Sequence, residues 1–205
     1  DKLTKPERVA FLQTALSVGY LIGASDADVI EIFARINTVA KTLNPQEKRN
    51  AQYSGAFKQF SLKEAVERLP FWRDNAVFTD IDISRMIEVQ FISDLAMNLV
   101  EGLQDFSGPR LTKYYADNED DFPAERDVKK RLDSLFSQLL SLPVGSLKGT
   151  AFARPQVLFS LLLVLDGLES RPSSTKLQQC IADISSRIEA VRSGENPDAL
   201  TTQGY

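Results

Sequence analysis

A chain of 205 residues with a formal net charge of −4 and a pI near 5.0 is, as a whole, no electrostatic magnet for nucleic acid. Hydrophobic residues make up 43% and charged residues 25%, which is the composition of a globular chain and not of a disordered one. The absence of histidine and the single cysteine, Cys180, exclude imidazole general-base catalysis, disulfide frameworks and thiolate zinc sites.

Hydrolytic chemistry must then rest on carboxylates, Arg, Lys, Asn, Gln or a metal held by oxygen ligands. The length admits one large domain or two small ones. The longest apolar run, 157–165 interrupted by Ser160, falls well short of the roughly 20 residues of a membrane-spanning helix. No secretory leader opens the sequence, so a cytoplasmic protein without a membrane partner is expected.

In chain order, Lys5 to Leu16 reads as a short helix with Pro6 in its first turn, and Leu16 to Ile22 alternates loosely like a strand. A lone strand cannot satisfy its own backbone groups, so its sheet partners are expected outside this sequence. Ser25 caps a helix, with Asp28 in the capping-box position and Val29, Ile30, Phe33 and Ile36 as its apolar stripe. Asn44 is an N-cap, with Pro45 as the first helical residue and Glu47 as its capping-box partner. A third cap is expected at Ser61 with Glu64, on a helix that stops before Pro70.

Asp82 or a neighbour opens a long amphipathic helix carrying Met86, Ile87, Leu95, Leu99 and Leu103. From Gly102 to Pro123 the pattern breaks, and this stretch is expected to be a surface connection. Pro123 starts a helix with Val128, Leu132, Leu135, Phe136 and Leu139 at helical spacing. Pro155 precedes the most apolar helix, expected at the centre of the core. The last helix, about Ser174 to Arg192, carries Leu177, Ile181, Ile184, Ile188 and Val191, and a polar tail follows it. The fold class is therefore mainly α, with one candidate strand. A boundary near residues 70–80 divides it into segments 1–75 and 76–205, the second a helical, bundle-like domain.

The informative constellation is Ile32-Phe-Ala-Arg-Ile-Asn37, then six residues, then Asn44-Pro-Gln-Glu-Lys-Arg-Asn-Ala51. A helix N-terminus offers unpaired N–H groups and partial positive charge to a phosphate, and arginine adds a forked donor. Equally, Asn44 and Glu47 explain themselves as a capping box, and Arg49 as a solvated surface charge. Both readings stand at this level.

These residues resemble the GmrSD-type restriction-system N-terminal domains, which have a ParB/sulfiredoxin-like fold. The matching positions are Phe33, Arg35, Ile36, Asn37, Leu43, Asn44, Glu47, Arg49, Asn50 and Ala51. Gly55-Ala-Phe57-Lys58, Phe71-Trp72, Arg85-Met86, Gly102-Leu-Gln104-Asp105, Tyr114-Tyr115 and Phe122-Pro123 resemble one branch of that family. The phrase Leu43-Asn-Pro-Gln-Glu47 is also similar to one of ParB partition proteins. Two positions depart from the pattern: Ala40 stands where a glycine is expected, and Lys48 where a leucine is.

The Asp-Gly-Gln-Gln-Arg phrase of the family's nucleotide site is absent, and the sequence opens on Asp instead of Met. Segment 1–75 thus resembles the distal part of a ParB-like α+β domain whose proximal part lies upstream. The resemblance implies binding or hydrolysis of a nucleoside triphosphate with Mg²⁺ by the complete protein, linked to DNA restriction or phage defence. It assigns Arg35, Asn37, Asn44, Glu47, Arg49 and Asn50 to the nucleotide and phosphate site. It assigns no catalytic residue and no protein metal ligand to this segment, which alone is expected to be inactive. The missing N-terminal portion, DNA through the complete protein and a second copy are its expected partners. The rival reading is a non-enzymatic helical interaction or scaffold module, supported by the acidic pI and the absent phrase.

Three further groups have plain explanations. The acidic run Asn118-Glu-Asp-Asp121 lacks the alternation of a calcium loop and reads as a solvated turn. Tyr114 and Tyr115 read as rings packed over a loop, and Arg126, Lys129, Lys130 and Arg131 as a solvated helix face.

Overall fold

The computed structural model describes residues 4–15, 22–23, 25–26, 28–30, 32 and 42–193. It divides into two compact units, Asp1–Thr42 and Leu43–Tyr205. Among the described residues the fold is mainly helical, with no strand. Most of the candidate strand, residues 16–21, lies outside them. No helix among the described residues is long and apolar enough to cross a membrane.

The first unit holds α1 (Lys5–Leu12). Thr4 caps it, and Glu7 returns the bond by accepting the Thr4 backbone N–H at 2.7 Å. The expected Ser25 cap is formed in the same way: the Ser25 N–H donates to Asp28 Oδ2 at 2.9 Å, and the Asp28 N–H to Ser25 Oγ at 3.3 Å. Both patterns are local, so they are legible without knowledge of the tertiary fold.

The second unit contains α2 (Pro45–Gln52), α3 (Ala56–Glu67), α4 (Leu69–Asp74), α5 (Asp80–Ser84) and α6 (Ile87–Glu101). It continues with α7 (Gly108–Asp117), α8 (Glu125–Leu140), a 3-10 turn (Ala151–Ala153), α9 (Pro155–Gly167) and α10 (Ser174–Arg192). The central element is α6: from Glu88 to Leu99 only Gln90 escapes full burial. A helix this rich in apolar side chains must be covered on nearly every side, and its Glu88, Ser93, Asp94 and Asn98 are buried along with them. Accordingly α2, α3, α5, α7, α8 and α9 all pack against it, with α3 making the largest interface.

Trp72 in α4 is fully buried and meets Phe71, Phe78, Phe91 and Phe136 edge-on, with centroids 5.2–5.6 Å apart. Its indole N–H donates to the Ala65 carbonyl at 3.1 Å. One ring thus ties α4 to α6 and α8. These contacts join elements on both sides of residues 75 and 76.

Several local expectations give way to tertiary packing. Ser61 does not cap a helix. The helix begins five residues earlier because Phe57 and Phe60 extend its buried side, and Gly55 occupies the cap position. A Cβ on Gly55 would lie 1.8 Å from the Glu119 carbonyl oxygen, which accepts the Ala56 N–H at 2.8 Å. Glycine is required there by close backbone approach. Glu64 is fully buried and pairs with Arg68 at 2.7 Å and Lys129 at 3.1 Å.

The single long helix expected from Asp82 is two. Thr79 caps α5 with Asp82 as its capping-box partner, and Met86 at φ 61° breaks the chain before α6. The stretch 102–123 is not merely a surface connection. Ser107 and Pro109 start α7, which buries Leu111 and packs the rings of Tyr114 and Tyr115 edge-on against Phe57. Glu119 is also structural, accepting the Ser54 N–H at 2.8 Å.

The apolar stripe of α8 is buried as its spacing requires, and Lys129 and Arg131 form ion pairs on its polar side. The most apolar helix, α9, is peripheral and not central: it buries Leu158, Leu162 and Leu165, while Val164 is 59% exposed. On α10 the buried positions are Leu177, Ile181 and Ser185, with Ile184 and Val191 partly exposed.

Candidate functional site

Helix α2 reads Pro-Gln-Glu-Lys-Arg-Asn-Ala-Gln and has almost no apolar side chain to bury. Its start is fixed by Asn44. The Asn44 Oδ1 accepts the N–H groups of Gln46 and Glu47, each at 2.8 Å, and the Asn44 carbonyl accepts the Lys48 N–H at 3.0 Å. Pro45 has no N–H. Every first-turn donor that could meet a phosphate is therefore already used within the helix.

The Asn44 side-chain amide donates in turn to the Arg85 carbonyl at 2.8 Å. Glu47 Oε2 accepts the Asn44 N–H and the Arg85 guanidinium at 3.1 Å. Burial alone would raise the Glu47 carboxyl, but the Asn44 N–H and Arg85 outweigh it and hold the group below its ordinary value. The break at Arg85-Met86 and the start of α2 are thus fastened to each other.

One turn on, Gln46 and Arg49 form the buried face of α2 and are 1% and 2% exposed. The Arg49 Nε donates to Gln46 Oε1 at 2.9 Å, Nη2 to Gln90 Oε1 at 2.9 Å, and Nη1 makes a long contact to Thr112 Oγ1 at 3.4 Å. The Gln46 amide donates to the Tyr115 hydroxyl at 2.9 Å, and that hydroxyl shares a 2.7 Å hydrogen bond with Ser93. Arg49 also lies 6.0 Å from the Tyr115 ring centroid. Burial lowers its pKa; Tyr115, Asp94 and Tyr53 act in the opposite direction. A guanidinium remains charged even so. The result is a cation held by neutral side chains from α2, α6 and α7.

Asn44, Glu47, Arg49 and Asn50 therefore share α2 and its cap, and the first three point their polar groups into the helical unit. Asn50 differs, because its Oδ1 is buried without a hydrogen-bond partner among the described residues. Arg35 and Asn37 lie outside the described residues. The residues that surround Arg49 — Gln46, Gln90, Thr112 and Tyr115 — carried no signal in the hydrophobic periodicity, since they are polar and 3 to 66 positions away. The resemblance had touched only Arg85 and Tyr115 among the partners.

Two carboxyls on α6 stand apart from the network. Glu88 is 4% exposed, and burial pushes its pKa up to about 7. Asp94 is 8% exposed and is pushed up to about 6 by burial, against the through-space pull of Arg110 and Arg49. Groups titrating near neutrality can exchange protons. Among the described residues no cluster of three or more Asp, Glu or Cys side chains is placed to hold a metal ion.

No family model matches the chain, and no curated protein or solved structure matches it either.

Proposed function

We propose that this chain is a non-enzymatic helical scaffold, in which α2 braces the helical unit and does not receive phosphate. The observation that carries this reading is the placement of Arg49, 2% exposed and donating to Gln46, Gln90 and Thr112. A guanidinium this deeply buried, with three of its five N–H groups engaged inside the unit, is not presented to a phosphate from solvent. The test is titration of the chain with MgATP and MgGTP, followed by the backbone NMR signals of α2. The scaffold reading predicts no saturable shift there. Saturable binding centred on Arg49 and Asn50 would overturn it.

A second reading is favoured by one atom. The orphaned Asn50 Oδ1 is a buried acceptor, and such a group calls for a donor from elsewhere. On this reading the complete protein resembles the GmrSD-type, ParB-fold family in function as well. It would handle a nucleoside triphosphate with Mg²⁺ in DNA restriction or phage defence, with Arg35, Asn37 and Asn50 at the nucleotide. Nucleotide binding by the full gene product that survives Asn37→Ala and Asn50→Ala unchanged would remove these residues from the site.

A further inference from the structure

The polar network ends at Gln90, and on the other side of that residue lies a cleft of about 470 Å³ between α6, α9 and the turn after α6. Its size falls in the range of small-molecule sites, roughly 300–1,000 Å³. Phe78, Phe91 and Phe159 form an aromatic wall, with edge-on contacts of 5.7 Å and 5.5 Å between successive rings. Phe106, 54% exposed, stands at the rim.

One carboxylate is sunk into this apolar lining. Asp94 is more than nine-tenths buried, and the single hydrogen bond to its side chain is a long one from Asn98 Nδ2, at 3.2 Å. The nearby cations act on Asp94 only through space and make their contacts elsewhere: Arg110 donates from Nε to Glu101 at 3.1 Å, and Arg49 to Gln46 and Gln90. Among the described residues no cation forms an ion pair with Asp94. Asp105 adds a second carboxylate to the lining.

A buried carboxylate without a contacting counter-ion, set behind aromatic rings, has the complement of an organic cation. The carboxylate meets the charge, and the ring faces meet both the charge and the apolar body. The Gln90 side chain, pinned by Arg49, supplies a fixed polar group beside it. We infer that the cleft bounded by Asp94, Gln90, Phe91 and Phe159 is a binding site for a small amine: an ammonium or guanidinium carried on an aromatic or short apolar body. This site is separate from the bracing role of α2, and its failure would leave the Arg49 network untouched.

The test uses the whole chain and two probes that differ only in charge, 2-phenylethylamine and 2-phenylethanol, titrated at pH 7.5 while the amide signals of Gln90, Phe91 and Phe159 are followed. The amine is expected to bind at least tenfold more tightly than the alcohol. Asp94→Asn is expected to abolish that preference, and Phe106→Ala, at the exposed rim, to weaken both probes severalfold. Should Asp94→Asn fail to fold, the comparison of the two probes on the unaltered chain still decides. Equal affinity for amine and alcohol, shifts that avoid the cleft, or saturation by a lysine tripeptide but not by the free amine would overturn the inference.

Discussion

Truncating Arg49 to alanine removes the one donor among the described residues for Gln46 Oε1 and for Gln90 Oε1, and a weak contact to Thr112. Thr112 keeps its own bond to the Gly108 carbonyl; Gln46 Oε1 is orphaned in a buried place, whereas the half-buried Gln90 lines a cleft and can turn to solvent. A buried orphan costs about 1–3 kcal/mol, and relief of the desolvated guanidinium offsets part of it. With one buried orphan the net loss should be about 1–2 kcal/mol, which for a domain of this size lowers Tm by roughly 2–8 °C.

The assay is urea denaturation monitored by far-UV circular dichroism, comparing Arg49→Ala with Arg49→Met. Methionine restores the packing of the stem but not the donors. If the loss is polar, the two variants fall within about 1 kcal/mol of each other. A double-mutant cycle with Gln90→Ala should then return a coupling of about 1–2 kcal/mol. A cost below about 0.5 kcal/mol for Arg49→Ala would refute the reasoning, because it would make Arg49 a surface charge.

Asp94 and Glu88 give a pH signature. Their folded pKa values, about 6 and about 7, lie above the ordinary 3.8 and 4.5, so the folded chain binds more protons in that window. Their contribution to stability is therefore present at low pH and lost as pH rises from about 4 to about 7, on the order of 3 kcal/mol for each group. Asp94→Asn and Glu88→Gln should each flatten this slope in denaturation curves taken from pH 4 to 8; an unchanged slope contradicts the assignment.

Gly55→Ala forces a methyl into the Glu119 backbone and should cost more than about 2 kcal/mol, seen as a lower urea midpoint. Asn44→Ala removes the acceptor for two N–H groups and the donor to Arg85; about 1–2 kcal/mol is expected by the same measurement.

The sequence disclosed what depends on near neighbours. The boxes at Ser25–Asp28 and Asn44–Glu47 need only three residues of context, and the stripe from Val128 to Leu139 needs only the helical period. It misled where a distant partner decides. Ser61 and Glu64 have the spacing of a cap, yet Phe57 and Phe60 carry the helix through them, and Glu64 is spent on Arg68 and Lys129. Residues 102–123 break the apolar pattern because α7 buries two tyrosines and a leucine and little else, so its buried side leaves no long stripe to read. The candidate site was half legible: its cap could be read, but the burial of Arg49 could not, since Gln90 and Thr112 lie 41 and 63 residues away. The cleft at Asp94 left no sequence motif at all.

Native-state hydrogen exchange of the whole chain gives the most direct test of α2 as an integral brace. The amides of Arg49, Asn50 and Tyr53 are predicted to open with nearly the free energy of Leu95 in α6, and Arg49→Ala should lower both sets together. If the α2 amides exchange at the rate of a fraying end while Leu95 remains protected, α2 is an appendage and Arg49 is free for another role.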